Sequence, residues 1–385
     1  MQPANTSFNL NHSSTPNTQG LTLIELMVAM AISVIVGIAI FEIFIQTEYG
    51  YLHNRGTGDI VNADRHALHV VSIYLSNAGY GMAGLPGCQT TYTYQNTAIT
   101  PVSAITVSPG GTPTTSAPQP VSLTINMSAS QFAGVPIGQM VQSPSPSATN
   151  FHLNSQPGAG TTCQTSIQSG DTLIAAFSGG ACGMVVATKT PSSQKGACVI
   201  NFAPGRNPNN PPGGFNSLIP NLTAADMDAA QVYDVGNGQL SSLTFSVVPG
   251  TNAGPGQLQL SSGGGTPALF AQGIDDLQVL FGFNLAGGQS VTSYGYFPTI
   301  SQIQSNPDLI SDIRTVMVVM VAQSVLKTAG TVTPGQLLLI PAIPASESVT
   351  GADLPAVYYQ PPAGVNNEQF NVMRTTVPVM NLIWH

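Results

Sequence analysis

Glu25 is the first residue of this chain that asks for a chemical explanation. It lies inside an apolar run, Leu21 to Ile45, that contains no Lys, Arg or Pro. An acid near the middle of a membrane helix costs roughly 2.5–3.5 kcal/mol, so such a group is functional unless it sits at headgroup depth. The chemistry open to a carboxylate in hydrocarbon is pairing with a cation, and the run offers none. The plainer alternative is an acid solvated near the helix end. Glu42, at the far end of the run, reads as such an interfacial acid.

Other candidates are weaker. His66 and His69 stand three apart with Asp64 beside them, a spacing that could hold a metal on a helix but more often marks a solvated face. Asp275 and Asp276 are adjacent, so in a strand they point to opposite faces; they read as a strand entry rather than a calcium site. Asp226 and Asp228 form a similar pair. No phosphate loop, nucleophile elbow or H-E-x-x-H is present. No catalytic residue, metal site or cofactor is therefore expected, and the chain does not read as an enzyme. The four cysteines, Cys88, Cys163, Cys182 and Cys198, form no C-x-x-C pair. In a membrane-inserted, exported chain an even number favours two disulfides. Three connectivities exist. The favoured one joins Cys182 to Cys198 around a short loop and Cys88 to Cys163; four buried thiols are the alternative.

Composition narrows the class. Only 6% of the 385 residues are charged, against about 25% in ordinary soluble domains. Eight basic residues and a net charge of -8 argue against nucleic-acid binding. With 40 Gly, 30 Pro and 42% hydrophobic residues, the chain reads as a β-rich, loop-rich fold with a neutral polar surface.

The element that must position Glu25 is a helix. Residues 21–45 would span about 37 Å as a helix, enough for a bilayer core of about 30 Å. A cleaved secretory signal would need a basic start, a shorter apolar core and small residues after it. The segment 47–59 is polar and carries Gly50, Gly56 and Gly58, which predicts a bend or melted turn, with Asp59 as N-cap of a second helical stretch. Val61, Leu68, Val71, Leu75 and Ala78 then recur at helical spacing, and Gly79 ends the pattern. Residues 121–129, 171–177, 182–188, 230–235 and 240–248 read as strands, the last two as a hairpin around Gly236–Gln239. Residues 108–120 and 203–220 read as Pro/Gly-rich surface loops.

"G-LTLIEL" resembles the type III signal of type IV pilins, in which a prepilin peptidase cuts after the Gly and methylates the new amine. The resemblance implies cleavage between Gly20 and Leu21, N-methylation of Leu21, and Glu25 as the fifth mature residue with an assembly role: its carboxylate meets the amine of a neighbouring subunit. Two features depart from the family pattern. Leu21 stands where Phe or Met is usual, and residues 1–20 carry no Lys or Arg. Further stretches resemble minor pilins of the PilW type: "NAGYGMAGLPGC" at 77–88, "ALFAQGIDDLQVLFGF" at 268–283, "ISDIRTVMVVMVAQS" at 310–324 and "FNVMRTTVPVMNL" at 370–382.

The fold implied is α+β, the type IV pilin fold: a long N-terminal helix, transmembrane then amphipathic, packed on an antiparallel β-sheet head with long loops. Residues 1–20 would be a cleaved leader, 21–80 the transmembrane and assembly helix, and 81–385 a β-rich head in the periplasm and then on the pilus. The implied role is initiation or assembly of a type IV pilus. The partners are the prepilin peptidase, other minor pilins, the major pilin, the inner-membrane assembly platform and, optionally, a tip adhesin. The alternatives are a large minor pseudopilin of the J class in a type II secretion system, and an adhesin head on a pilin anchor.

Overall fold

The computed structural model describes residues 22–82 and most of 88–379, with gaps at 89, 96–97, 110–117, 129, 131–135, 142–144, 155–162, 164–165, 179, 195–196, 238–239, 251–253, 299–301, 303–307, 327–334 and 363–367. Gly20 and Leu21 lie outside the described residues. The chain divides into two compact units, residues 1–53 and 54–385.

One α-helix runs from Leu23 to Ser76. No melted turn interrupts it at residues 47–59, and Asp59 is an interior helical residue, not an N-cap. The physical reason is visible at Gly56. A Cβ built there would lie 3.0 Å from the Ser324 hydroxyl oxygen, so this glycine allows close approach to a strand end instead of a turn. A helical glycine costs roughly 1 kcal/mol relative to Ala, and packing from residue 56 onward offsets it. Thr57 Oγ1 also donates to Gln369 Oε1 at 2.7 Å. The helix ends as expected near Gly79, whose φ of 74° only glycine adopts freely and whose N–H donates to the Asn126 carbonyl.

The head is built of sheets. A four-stranded antiparallel sheet orders Ser293–Gly295, Ile274–Phe283, Ile313–Gln323 and Phe370–Pro378. A five-stranded antiparallel sheet orders Ala268–Gln272, Gln257–Ser262, Ser241–Val248, Ser122–Met127 and Ile105–Ser108. Both contribute to one core with the helix: Ala67, Leu68, Val71 and Leu75 join Val279, Phe281, Val316 and Val318 from the first sheet and Ile125 and Phe245 from the second. Strand alternation sends Leu280, Val319 and Val321 to the opposite face, where the pair Leu337–Ile340 and Val357–Tyr359 covers them.

A six-stranded sheet orders Ala98–Val102, Thr90–Gln95, Ala181–Val186, Asp171–Ala176, Gln231–Asn237 and Pro136–Gln139, with one parallel pair, Thr90–Gln95 beside Ala181–Val186. Its two faces feed two separate cores. Leu173, Val185 and Val232 pack with Phe151, Phe202 and Phe215, while Ile174, Met184 and Tyr233 pack with Met82 and Leu240. Phe151 and Phe202 border a three-stranded sheet, Asn150–Asn154, Ala197–Asn201 and Ser192–Gln194.

Three expectations are corrected, and one of the stretches that resemble minor pilins proves to be divided. The strands Gln231–Asn237 and Ser241–Val248 do not form a hairpin; the first belongs to the six-stranded sheet and the second to the five-stranded one. The stretch 268–283 is two strands in different sheets, divided at Gly273 with φ 90°. The segment 203–220 is not a plain surface loop: it contains the short helix Phe215–Leu218, and Asn210, Phe215 and Leu218 are buried. All four cysteines are bonded, but as Cys88–Cys182 and Cys163–Cys198, not as Cys182–Cys198 and Cys88–Cys163. Cys182 and Cys198 belong to cores on opposite faces of the six-stranded sheet, which keeps them apart.

Candidate functional site

The site is built on the long helix. At its start, Thr22 and Glu25 close a capping box. The Thr22 N–H and hydroxyl each donate to Glu25 Oε2 at 3.0 Å, and the Glu25 N–H donates back to Thr22 Oγ1 at 3.4 Å. The arrangement satisfies amide groups that a helix start leaves without partners. The spacing T-x-x-E, present at Thr22–Glu25, is its sequence signal and lies beside the charge itself. Beyond it the large apolar side chains from Leu23 to Phe44 are 49–77% exposed. No residue from 22 to 55 is buried. This is the one helix among the described residues long and apolar enough to cross a membrane, and apolar exposure on that scale calls for a lipid or protein neighbour.

The second part of the helix is different in kind. Gly56, Ile60, Asp64, Ala67, Leu68, Val71 and Leu75 form a buried stripe at three- and four-residue spacing. Asp64 is the anomaly in it. It is 0% exposed, and among the described residues neither carboxylate oxygen has a hydrogen-bond partner. Burial alone pushes its carboxyl up to about 7. His66 and His69 are exposed, and His66 stacks on Phe270 with ring centroids 5.9 Å apart. The helix thus separates Asp64 from the two histidines. Among the described residues, no group of three His, Cys, Asp or Glu could hold a metal ion.

The acidic pairs find structural roles. Asp226 caps the short helix Ala224–Ala229 with Thr223 and accepts from the Ser178 hydroxyl at 2.5 Å, bonds that hold its carboxyl down to about 2. Asp275 is the extra residue of a bulge opposite Val321 and Ala322. It is buried and accepts from the Gly250 N–H and the Tyr359 hydroxyl. Asp276 accepts from the Gln278 side-chain amide at 2.9 Å, and burial raises its carboxyl to about 7. These acids tie strand ends and turns together.

A prokaryotic N-terminal methylation motif matches residues 15–41. The motif supports a type IV pilin or pseudopilin. It covers the capping box and the first half of the exposed apolar segment, and it implies processing by a prepilin peptidase and partners in pilus assembly generally. The proteins it marks are structural, not enzymatic. An apolar pilin helix of this kind suggests membrane anchoring, and the α+β fold, a long helix followed by an antiparallel-rich head, agrees with a pilin. Comparison with curated proteins found no match, and neither did comparison with solved structures.

Proposed function

We propose that this chain is a minor pilin of the PilW type that takes part in initiating or assembling a type IV pilus. The observation that carries the reading is the methylation motif laid over an unburied apolar helix that begins at Thr22 and Glu25. Residues 1–20 are the leader, cut between Gly20 and Leu21, with the new amine of Leu21 methylated. Residues 21–80 form the transmembrane and assembly helix, and 81–385 the head, which folds in the periplasm and then reaches the cell surface on the pilus. A cationic amine at Leu21 is the partner that an acid in hydrocarbon requires, and Glu25 of a neighbouring subunit supplies the opposite charge. Buried charges are costly when unpaired, so the pair acts as a register check during assembly. The partners are the prepilin peptidase, other minor pilins, the major pilin, the inner-membrane platform and, optionally, a tip adhesin.

The test is deletion of this chain in its host, with sheared surface pili and type II-secreted enzymes measured side by side. Loss of pili with secretion intact is expected. Loss of secretion with pili intact would overturn the reading in favour of a J-class pseudopilin. N-terminal sequencing of the mature chain should begin at Leu21.

A further inference from the structure

A second surface of the head has chemistry of its own. Where the six-stranded and five-stranded sheets meet lies a cleft of about 280 Å³. Strand alternation decides what lines it. In the six-stranded sheet, Tyr92 and Tyr94 turn toward the phenylalanine core, so Thr93 faces the other way, beside its register partner Met184. In the five-stranded sheet, Ile105, Leu123, Ile125 and Phe245 face the helix core. Thr106, Asn126 and Ser242 therefore face outward, into the cleft.

The third wall comes from the segment 203–220. Asn210, 1% exposed, works as a substitute strand: its Oδ1 accepts from the Val186 N–H at 2.7 Å and its Nδ2 donates to the Val186 carbonyl at 2.8 Å. Asn207 Oδ1 accepts from the Asn209 N–H at 2.9 Å. These bonds hold the Asn209 side chain at the cleft.

Among the described residues, no Asp, Glu, Lys, Arg or His lines the cleft. Its polar groups are hydroxyls and amides, set against Met184, Val186 and Leu240. Asn126 donates its Nδ2 to the Ser103 carbonyl at 2.7 Å, which leaves its Oδ1 as an acceptor. Among the described residues, the side chains of Thr93, Asn209 and Ser242 make no hydrogen bond within the protein. Thr93 is only 3% exposed. These groups keep hydrogen-bonding capacity for a molecule that enters the cleft.

We infer that this cleft binds a neutral sugar, one pyranose ring presented as a free monosaccharide or as the end of a glycan. Uncharged donors and acceptors over an apolar floor match the hydroxyls and C–H face of a pyranose. The absence of charge disfavours phosphates, carboxylates and amines, which would lose water without gaining a counter-charge. The volume, about 280 Å³, lies just below the ligand-pocket range of roughly 300–1,000 Å³ and leaves room for one ring. The inference holds for a pilin and for a pseudopilin.

The test uses the mature full chain in phosphocholine-detergent micelles, which carry no sugar head group. Saturation-transfer NMR and titration are run with glucose, galactose, mannose and their N-acetylated amines, as free sugars and as methyl glycosides, against glucuronate and glucose 6-phosphate. Saturable binding of at least one neutral sugar is expected. Thr93→Val and Asn209→Ala should each weaken it by about tenfold, the loss of one well-made hydrogen bond. Preference for the methyl glycoside identifies a glycan end as the source; preference for the free sugar identifies a soluble ligand. Thr93→Val is nearly isosteric, and a thermal melt checks its fold; if it unfolds, Asn209→Ala carries the test. Binding of no neutral sugar, preference for the charged analogues, or an affinity that neither variant changes would overturn the proposal.

Discussion

Residues 23–53 and 54–76 belong to one helix, yet they solve opposite problems. The first part is apolar on nearly every side as far as Ile45 and buries nothing; the second is apolar along one stripe and buries that stripe. Its polar residues divide accordingly. In the first part Glu25 is exposed and spends its oxygen on the helix start. In the second part Asp64 is buried, and among the described residues its carboxylate has no hydrogen-bond partner. Helix continuity therefore says nothing about environment. The spacing of apolar residues does, because a helix apolar all round needs a neighbour all round, whereas a single stripe needs one packed face.

The comparison breaks first at Glu25. Glu25→Gln retains the capping box, which accepts Gln as well as Glu, and removes only the charge. The variant should insert and be cut normally but be missing from sheared filaments, since one partner of a buried pair is worth about 3–5 kcal/mol. Normal incorporation into filaments would leave Glu25 a helix cap and nothing more.

Asp64 gives the next largest effect, and one that depends on pH. Below about pH 4 its carboxyl is neutral in both folded and unfolded chains and costs nothing. As pH rises toward 7, the unfolded chain ionises while the folded chain keeps its proton, so stability falls; once the pH passes the folded value, about 7, the loss levels off. Asp64→Asn should flatten this decline and raise stability at pH 7 by up to a few kcal/mol, at about 1.4 kcal/mol per pKa unit. Asp276, also raised to about 7, has a slope of its own and keeps the variant from being wholly flat. Thermal melts at pH 4, 5.5 and 7 measure it; equal slopes for wild type and variant would show that Asp64 finds a partner in solution.

The smallest effect sharpens where head packing begins. A Cβ at Gly58 meets nothing within 4 Å, whereas one at Gly56 meets Ser324 Oγ at 3.0 Å. Gly58→Ala should stabilise the helix by up to about 1 kcal/mol. Gly56→Ala should gain less or lose stability, because Ser324 must shift. Equal gains in melting temperature would mean that the approach at residue 56 is not tight.

Much of the fold was legible in the residues. The apolar run and the stripe through Leu68, Val71 and Leu75 follow from local periodicity, which side-chain direction converts into buried faces, and the strand Asp171–Ala176 follows from its apolar, β-branched content between turn residues. The sheet partners did not follow. Gln231–Asn237 and Ser241–Val248 look like two arms of a hairpin because they are close in sequence and rich in β-branched residues, and nothing in that pattern says that they join different sheets. At the helix start, the acid is legible as a charge, and the T-x-x-E spacing carries its capping bond. The neutral cleft was not legible at all, since Thr93, Asn126, Asn209 and Ser242 are scattered polar residues until three walls meet.

The amino-acid sequence by itself determined the anchor: the methylation motif, the unbroken apolar length and the capping box are local, and local backbone and hydropathy physics suffices to read them. Only tertiary structure decided that Cys88 meets Cys182 and Cys163 meets Cys198, that Asp64 is buried while His66 and His69 are not, and that a charge-free cleft opens between two sheets. Each of these depends on which faces of distant strands are pressed together, a matter of long-range packing that residue spacing along the chain does not encode.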